Sequence, residues 1–491
     1  MSKLKLEESR LKKLEYVKGI TNPYPERFEK NYEIAETAFL EDGVTGVCTS
    51  GRIILMRKMG KLSFITIGDI CGKIQIAVKN TSVGDETYQF FKKGFDIGDF
   101  IGVTGDMFTT QTGEKTILAS EIHFLGKSLK PLPEKFHGIS NTDSCYRQRY
   151  LDLIMNQNTR ERFLTKINFI KEMRRYLEDN GYMEIETPVL IDHPSGATAR
   201  PFISHHNALD MKVFLRIAPE TYLKRAIIGG FTKVFEVARC FRNEGMDASH
   251  LQDFTMIEGY CAYFNYKDNM VFLQNMLCHI ITKIFGSSQV YIGERAIDFG
   301  GEWKVVSFRD IILKDTGIDI NTIPTAEKLF NEIKNKKIEL ESETDISLLG
   351  RGNLIDLLYK KVSRPQIIEP TFLIEHPTSL SPLARANDKN PEISDRFQLI
   401  INGAEVINAY SELVDPIDQK CRLLEQAKLK EGGDEEAMVM DHDYITAMEY
   451  GMPPISGWGM GIDRMIQILT GQDNIKDTVL FPLMRPLGSN E

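Results

Sequence analysis

Arg464 follows three alternating glycines, Gly457, Gly459 and Gly461, in an otherwise apolar run. Alternate glycines strip the side chains from one strand face, so another molecule can lie flat on the backbone. A guanidinium at the strand-to-helix junction that follows can meet phosphate oxygens in a forked geometry. Far upstream, Arg242 and Glu244 stand two apart, with His250 and Phe254 beyond them. On a strand that spacing puts a cation for phosphate and a carboxylate for an amino group on one face. Phe254 offers an aromatic surface for a purine. The chemistry open to this set is nucleotide binding and charge neutralisation.

Two further groups are acidic. Glu405 and Glu412 stand seven apart. On an irregular or bulged strand they converge on one Mg2+ shared with phosphates, and on the surface they are a pair of exposed acids. Glu258 and Tyr260 are two apart and face the same way on a strand. Such acceptors are what a buried side-chain ammonium requires, because an unpaired buried cation is very costly.

These residues resemble the sequence motifs of the class II aminoacyl-tRNA synthetases, most closely the lysine-specific branch. The first motif is matched by Gly181-Tyr182-Met183-Glu184-Ile185-Glu186-Thr187-Pro188, the second by the Arg242/Glu244 segment, and the third by Gly457 to Arg464. Ala199-Arg200-Pro201-Phe202, Leu215 to Glu220 and Ser381-Pro382-Leu383-Ala384 add matches. The resemblance runs from about Val44 to Pro486. It implies that the chain activates lysine with ATP and transfers it to tRNA, as a homodimer built on the first motif.

The resemblance also assigns roles. Arg242 meets the α-phosphate and Arg464 the γ-phosphate of ATP, with Gly459 and Gly461 lining its site. Glu244 accepts from the adenine amino group, Phe254 stacks on the ring and His250 lies near the phosphates. Glu405 and Glu412 are the implied Mg2+ ligands, and Glu405 also belongs to the ATP site. A third carboxylate is expected seven residues before Glu405, where this chain has Gln398. Glu258, Tyr260 and Glu412 hold the lysine side-chain amine, Glu220 and the Gly196 backbone its α-amino group, and Asn408 and Arg242 its carboxylate. In the N-terminal region Arg57, Phe64, Gln75 and Glu114 match residues that contact uridine-rich anticodon bases. Gly259 and the His250-Leu251-Gln252-Asp253 stretch depart from the commoner wording.

The elements that must position these residues are legible in part. Runs of period-two alternation at Ser63–Asp69, Lys73–Val78, Phe100–Gly105 and Lys115–Ala119 predict strands. With a helical crossover near Thr87 to Phe95, they suggest a small Greek-key barrel of the oligonucleotide-binding type. Leu129-Lys130-Pro131-Leu132-Pro133 reads as a stiff linker. A long helix is expected around Arg160 to Asn180, its apolar side formed by Ile167, Ile170, Met173 and Leu177. The expected class is α+β: the barrel, then an antiparallel sheet flanked by helices, with no βαβ alternation of a Rossmann kind. The expected divisions are a helical arm over 1–43, the anticodon barrel over 44–127, a linker over 128–145 and the catalytic domain over 146–491. A helical insertion is expected around 265–350.

Length and composition set the outer limits. The 491 residues exceed what one core usually holds. Hydrophobic residues at 42% and charged residues at 26% are ordinary for globular protein. Seven scattered cysteines without a C-x-x-C pair argue against a disulfide framework or zinc site and for the reducing cytoplasm. No run is apolar and long enough to span a bilayer, and no signal peptide is expected. The net charge of −9 does not advertise nucleic-acid binding, although residues 1–30 hold eight Lys/Arg against five Glu. A rival reading is a synthetase-like RNA-binding or regulatory protein without charging activity, whose mark would be loss of Arg242, Glu244 or Arg464. All three are present.

Overall fold

The computed structural model describes residues 3–133, 141–340, 346, 349–431 and 437–487. The chain falls into two compact units, Met1–Arg160 and Glu161–Glu491.

In the first unit, Val47–Met59, Leu62–Gly68, Lys73–Lys79, Phe100–Thr109 and Lys115–Gly126 form strands β1 to β5. They close into a barrel in the order β1-β2-β3-β5-β4. Period-two alternation sends Ile53, Ile65, Ile67, Ile76, Val103 and Ile117 inward, all essentially without solvent exposure. The helix Asp85–Gly94 adds Tyr88 and Phe91 to that core. The basic N-terminal helix, Lys3–Lys18, is not simply a solvated face. It buries Leu14 and Val17, Arg10 donates to the carbonyls of Ser128 and Ile97, and Lys13 pairs with Asp96. The short helices Thr142–Arg147 and Arg149–Met155 fall within the first of these compact units.

In the second unit, the remaining strands are β6 (Met183–Glu184), β7 (Leu190–Ile191), β8 (Ile203–His206), β9 (Met211–Leu215), β10 (Lys233–Phe241) and β11 (Asp253–Ala262). They continue with β12 (Gln289–Ile292), β13 (Arg295–Asp298), β14 (Lys304–Ser307), β15 (Thr371–Ile374), β16 (Arg396–Ile401), β17 (Ala404–Ser411) and β18 (Ile455–Gly461). Eight make one sheet in the order β14-β15-β16-β17-β18-β11-β10-β6. Its pairs are antiparallel except β6 with β10 and β14 with β15.

One face of this sheet is the core. Phe235, Ile257, Ile407, Ala409, Trp458 and Met460 pack there against the helices Gln157–Asp179, Tyr266–Phe285 and Ile462–Leu469. The first of these helices buries Phe169, Met173 and Leu177, whereas Ile167 is 55% exposed. Ile167 therefore does not belong to the apolar side expected of it, because helical spacing from Met173 and Leu177 selects Phe169. Gly259 faces the same core. A Cβ there would stand 2.6 Å from the Trp458 indole, so the glycine makes room for the ring. Residues 265–350 hold more than helices. The Tyr266–Phe285 helix is part of the main core, β12 and β13 form a hairpin, and β14 extends the sheet.

Candidate active site

The opposite sheet face carries the candidate residues, because cross-strand partners share a face. Register aligns Glu236, Glu258, Gly459, Asn408 and Gln398 in one row across β10, β11, β18, β17 and β16. The next row is Val234, Tyr260, Gly457, Tyr410 and Arg396. The glycines of β18 thus form the centre of a trough. Gly457 is bare for its neighbours' sake: a Cβ would stand 2.2 Å from Tyr260 and 2.4 Å from Glu412. Only at Gly461, where the nearest atom is Arg464 Cβ at 3.7 Å, does the backbone lie open to another molecule.

One end of the trough is an acidic pocket. Glu220 comes from the first turn of the helix Glu220–Ile228, Glu258 and Tyr260 from β11, and Tyr410 and Glu412 from the end of β17. Glu220, Glu258 and Glu412 are 7%, 3% and 2% exposed. The Tyr260 hydroxyl donates to Glu258 at 2.9 Å and the Tyr410 hydroxyl to Glu220 at 2.6 Å. Lys224, fully buried one turn after Glu220, places its Nζ 2.5 Å from both Glu220 and Glu412. Lys224 is thus paired with two of the three buried carboxylates, and among the described residues no ion pair reaches Glu258.

The electrostatics follow. Burial and the charge of Glu220 push the Glu258 carboxyl well above its ordinary range, against the Tyr260 hydrogen bond. Burial, opposed by Lys224, pushes Glu412 up to about 8. Lys224 is held charged, because the surrounding glutamates outweigh its desolvation. Such a pocket has an unmet demand for positive charge. Gly196, at φ +87, lies against Glu220, its would-be Cβ 3.1 Å from the Glu220 Cβ.

The other end of the trough is cationic. Arg242 and Glu244 lie in the loop after β10, not on the strand as expected. Arg242 N–H still donates to Gln252 O at 2.9 Å, one residue past the β10–β11 ladder, and the backbone turns away at Asn243, whose N–H donates to Arg200 O at 2.7 Å. The Arg242 guanidinium stands 5.1 Å from the centre of the Phe254 ring, on β11. His250 is exposed and bonded to Asp247 at 2.7 Å. Burial raises the Asp247 pKa, but the Ser249 N–H and His250 outweigh it and hold the group at about 2. Arg464, in the first turn of the helix Ile462–Leu469, donates to Glu405 O at 2.8 Å. Desolvation lowers its pKa, Glu405 opposes this, and Arg364 and Arg242 add to it.

Glu405 and Glu412 do not converge. The register of β16 with β17 shifts between Leu399 and Ile400, so β17 carries a bulge near Val406. That irregularity brings Glu405 onto the face of Asn408, as a shared metal would require. Yet the two acids stand at opposite ends of β17, roughly 20 Å apart at about 3.3 Å per residue. Glu412 is already taken by Lys224. A Mg2+ ion carried by phosphates fits the half-buried Glu405, beside Arg464, and does not fit Glu412. Gln398 is bonded to His376 at 3.1 Å, and Asn408 accepts from Arg396 at 2.9 Å.

Lys224, Tyr410, Arg364 and Arg396 escaped the sequence reading. Two had signals: Glu220 and Lys224 stand four apart on a helix, and Tyr410 shares the alternation of Asn408 and Glu412. Arg364 and Arg396 had none.

On the barrel, Arg57 pairs with Phe64 across β1 and β2. Gln75, opposite Thr66, donates to Thr116 at 3.0 Å. Phe64, Arg57 and Gln75 share the outward face, while Glu114 sits in the turn before β5, its N–H bonded to Thr110. Among the described residues no helix is long and apolar enough to cross a membrane.

Comparison with known proteins agrees with this geometry. Residues 141–485 match the family model of class II tRNA synthetases (D, K and N), and residues 47–125 match the OB-fold nucleic acid binding domain. The chain is 43% identical to a lysine–tRNA ligase of Thermosipho africanus over 99% of this chain and 98% of that one. It is equally 43% identical to lysine–tRNA ligases of Syntrophomonas wolfei, over 99% and 98%, and of Bacillus subtilis, over 94% of each chain. With one model spanning most of its length and relatives this close, the chain belongs to the class II tRNA synthetases of the D, K and N group.

Proposed function

We propose that the chain is a lysine–tRNA ligase, which joins lysine to ATP as lysyl-adenylate, releases pyrophosphate and passes lysine to tRNA. The observation that carries the substrate choice is the buried pocket of Glu220, Glu258 and Glu412, in which Lys224 pairs with Glu220 and Glu412. Three buried carboxylates with one lysine paired to two of them leave places for the two ammonium groups of free lysine, whose arrival ionises the raised Glu258 and Glu412. An aspartate or asparagine side chain would bring no cation to this pocket.

The reaction needs no general base, since the attacking carboxylate is already ionised. It needs positioning and neutralisation of phosphate charge. In this reading Glu220 and the Gly196 backbone receive the α-amino group, and Glu258 and Tyr260, with Glu412 behind them, the side-chain ammonium. Arg242 and Asn408 flank the carboxylate and hold it toward the α-phosphate. Phe254 and Glu244 receive adenine, His250 stands at the phosphates, and Arg464 neutralises the outer ones. Mg2+ supplies further neutralisation when bound with the triphosphate, and Glu405 is the residue that would hold it.

The barrel face of Arg57, Phe64 and Gln75, with Glu114 in the adjoining turn, suits stacking and hydrogen bonding of single-stranded anticodon bases. Division of labour follows the two units, barrel for tRNA and sheet for activation, and a cytoplasmic site of action suits the tRNA substrate. A homodimer through the 181–188 segment accords with the exposed Met183, Val189, Leu190 and Ile203 around it. Incubation with ATP, radiolabelled lysine and lysine tRNA tests the reading. Labelled tRNA is the expected product. Tight tRNA binding without any charging would favour the rival RNA-binding reading.

A further inference from the structure

Arg364 has no assigned task, and its surroundings are unusual for a cation. It follows the helix Arg351–Leu358 and a π-helical turn over Tyr359–Ser363, a geometry often kept at functional sites. The segment after it is fastened to the β16–β17 turn: Asn402 and Gly403 N–H groups donate to Ile368 and Ile367 carbonyls at 2.8 and 2.7 Å. A Cβ on Gly403 would stand 3.3 Å from Pro365 Cα and 3.7 Å from Arg364 O. The same turn leads into Glu405, whose carbonyl holds Arg464.

Arg364 is half-buried, its Nε lacks solvent and partner, and no acid forms an ion pair with it among the described residues. Tyr359 Oη, Ser363 Oγ and His376 Nδ1 are likewise buried without partners, and the Tyr359 and His376 rings both pack on Phe308. The charges of Arg364 and Arg242 are both felt at Arg464. Gln398, across β16 from Asn408, brings no negative charge to this end of the trough. Arg364 and Arg464 are thus both tied to the β16–β17 turn, Arg364 through its backbone at Gly403 and Arg464 through the Glu405 carbonyl. Cations assembled in a partly desolvated place without matching acids are unfavourable unless a polyanion completes the site.

We propose that Arg364 is a third phosphate-binding arginine, which with Arg464 receives the outer phosphates of ATP. This deepens the ATP reading of the trough and rests on it. Arg364 approaches from the π-helical segment, Arg464 from the helix after β18, and Arg242 from the loop after β10. Three separate elements then converge on one phosphate chain, which fixes its bend.

The test is equilibrium binding of β,γ-methylene-ATP, AMP and lysine to full-length Arg364→Gln and Arg364→Lys. The proposal expects Arg364→Gln to weaken the ATP analogue at least tenfold while AMP and lysine stay within twofold, and Arg364→Lys to recover part of the loss. Unchanged binding of the ATP analogue overturns it. So does an equal loss for AMP and the ATP analogue, or for lysine and the ATP analogue, since either marks a structural role. Should Arg364→Gln not fold, Arg364→Lys carries the test through the ratio of the two nucleotide affinities: a shift against the ATP analogue supports it, an unchanged ratio overturns it. Lysine-dependent ATP–pyrophosphate exchange by the unaltered chain separates the claims. Its absence sinks the reading of the whole site, whereas its presence with an indifferent Arg364→Gln sinks this inference alone.

Discussion

Replacing Glu258 by Gln keeps the shape of the pocket and removes one charge. The side chain is 3% exposed and accepts from the Tyr260 hydroxyl at 2.9 Å, a bond an amide oxygen can also take. Removing one partner of a buried charge pair typically costs about 3–5 kcal/mol. Here part of that is already offset. Burial and Glu220 hold the Glu258 carboxyl toward its neutral form, so lysine must also ionise it on binding, at about 1.4 kcal/mol per pKa unit. Gln avoids that step. The net loss expected is about 2–3 kcal/mol, or roughly 30- to 150-fold in lysine KM at about 1.4 kcal/mol per tenfold. The KM for ATP, bound at the cationic end of the trough, should move less than threefold. Steady-state ATP–pyrophosphate exchange with each substrate varied reads both numbers. A lysine KM within threefold of the unaltered chain would refute the assignment of Glu258 to the substrate ammonium.

Other consequences are equally specific. Arg464→Ala should cost adenylate formation about 2–4 kcal/mol with little change in melting temperature, and a normal exchange rate in the folded variant would misplace the phosphate site. Lys224→Met leaves Glu220 and Glu412 without their cation, so calorimetric unfolding should show a loss of about 3–5 kcal/mol; stability equal to the unaltered chain would show that the ion pairs do not matter. Phe64→Ala should lose about 1–3 kcal/mol of base stacking, read as weaker charging of lysine tRNA at unchanged exchange, and undiminished charging would clear the barrel face of that role. Because Glu412 is raised to about 8 and Glu258 is raised too, lysine binding at pH 7 should expel protons. Affinity should then rise from pH 6 to 8, and titration calorimetry in buffers of different ionisation heat should register the release. Binding without proton exchange would contradict the shared-charge pocket.

Much of the trough could be read from alternation alone. Glu258 with Tyr260, and Gly457 with Gly459 and Gly461, obey the two-residue period of strands, and β11 and β18 keep that period. What failed were statements that need register or a partner. Arg242 and Glu244 obey the same spacing but lie beyond the last residue of β10, where Arg242 prolongs the ladder by one bond to Gln252 and Asn243 leaves it for Arg200. The seven-residue spacing of Glu405 and Glu412 does contain a bulge. Spacing could not reveal that the bulge leaves them at opposite ends of β17, nor that Lys224 claims Glu412. Arg364 was invisible because its significance lies in what does not surround it. The barrel strands were legible for the opposite reason, since each hairpin is local and each inward residue apolar.

ATP–pyrophosphate exchange with each of the twenty amino acids, at saturating ATP and Mg2+, bears most directly on the central claim. Among the twenty, lysine alone should drive rapid exchange, with the shorter diamino acid ornithine discriminated by only about 1–3 kcal/mol for the missing methylene. Exchange driven by aspartate or asparagine, or by no amino acid, would contradict the account of an acidic pocket built for a substrate ammonium.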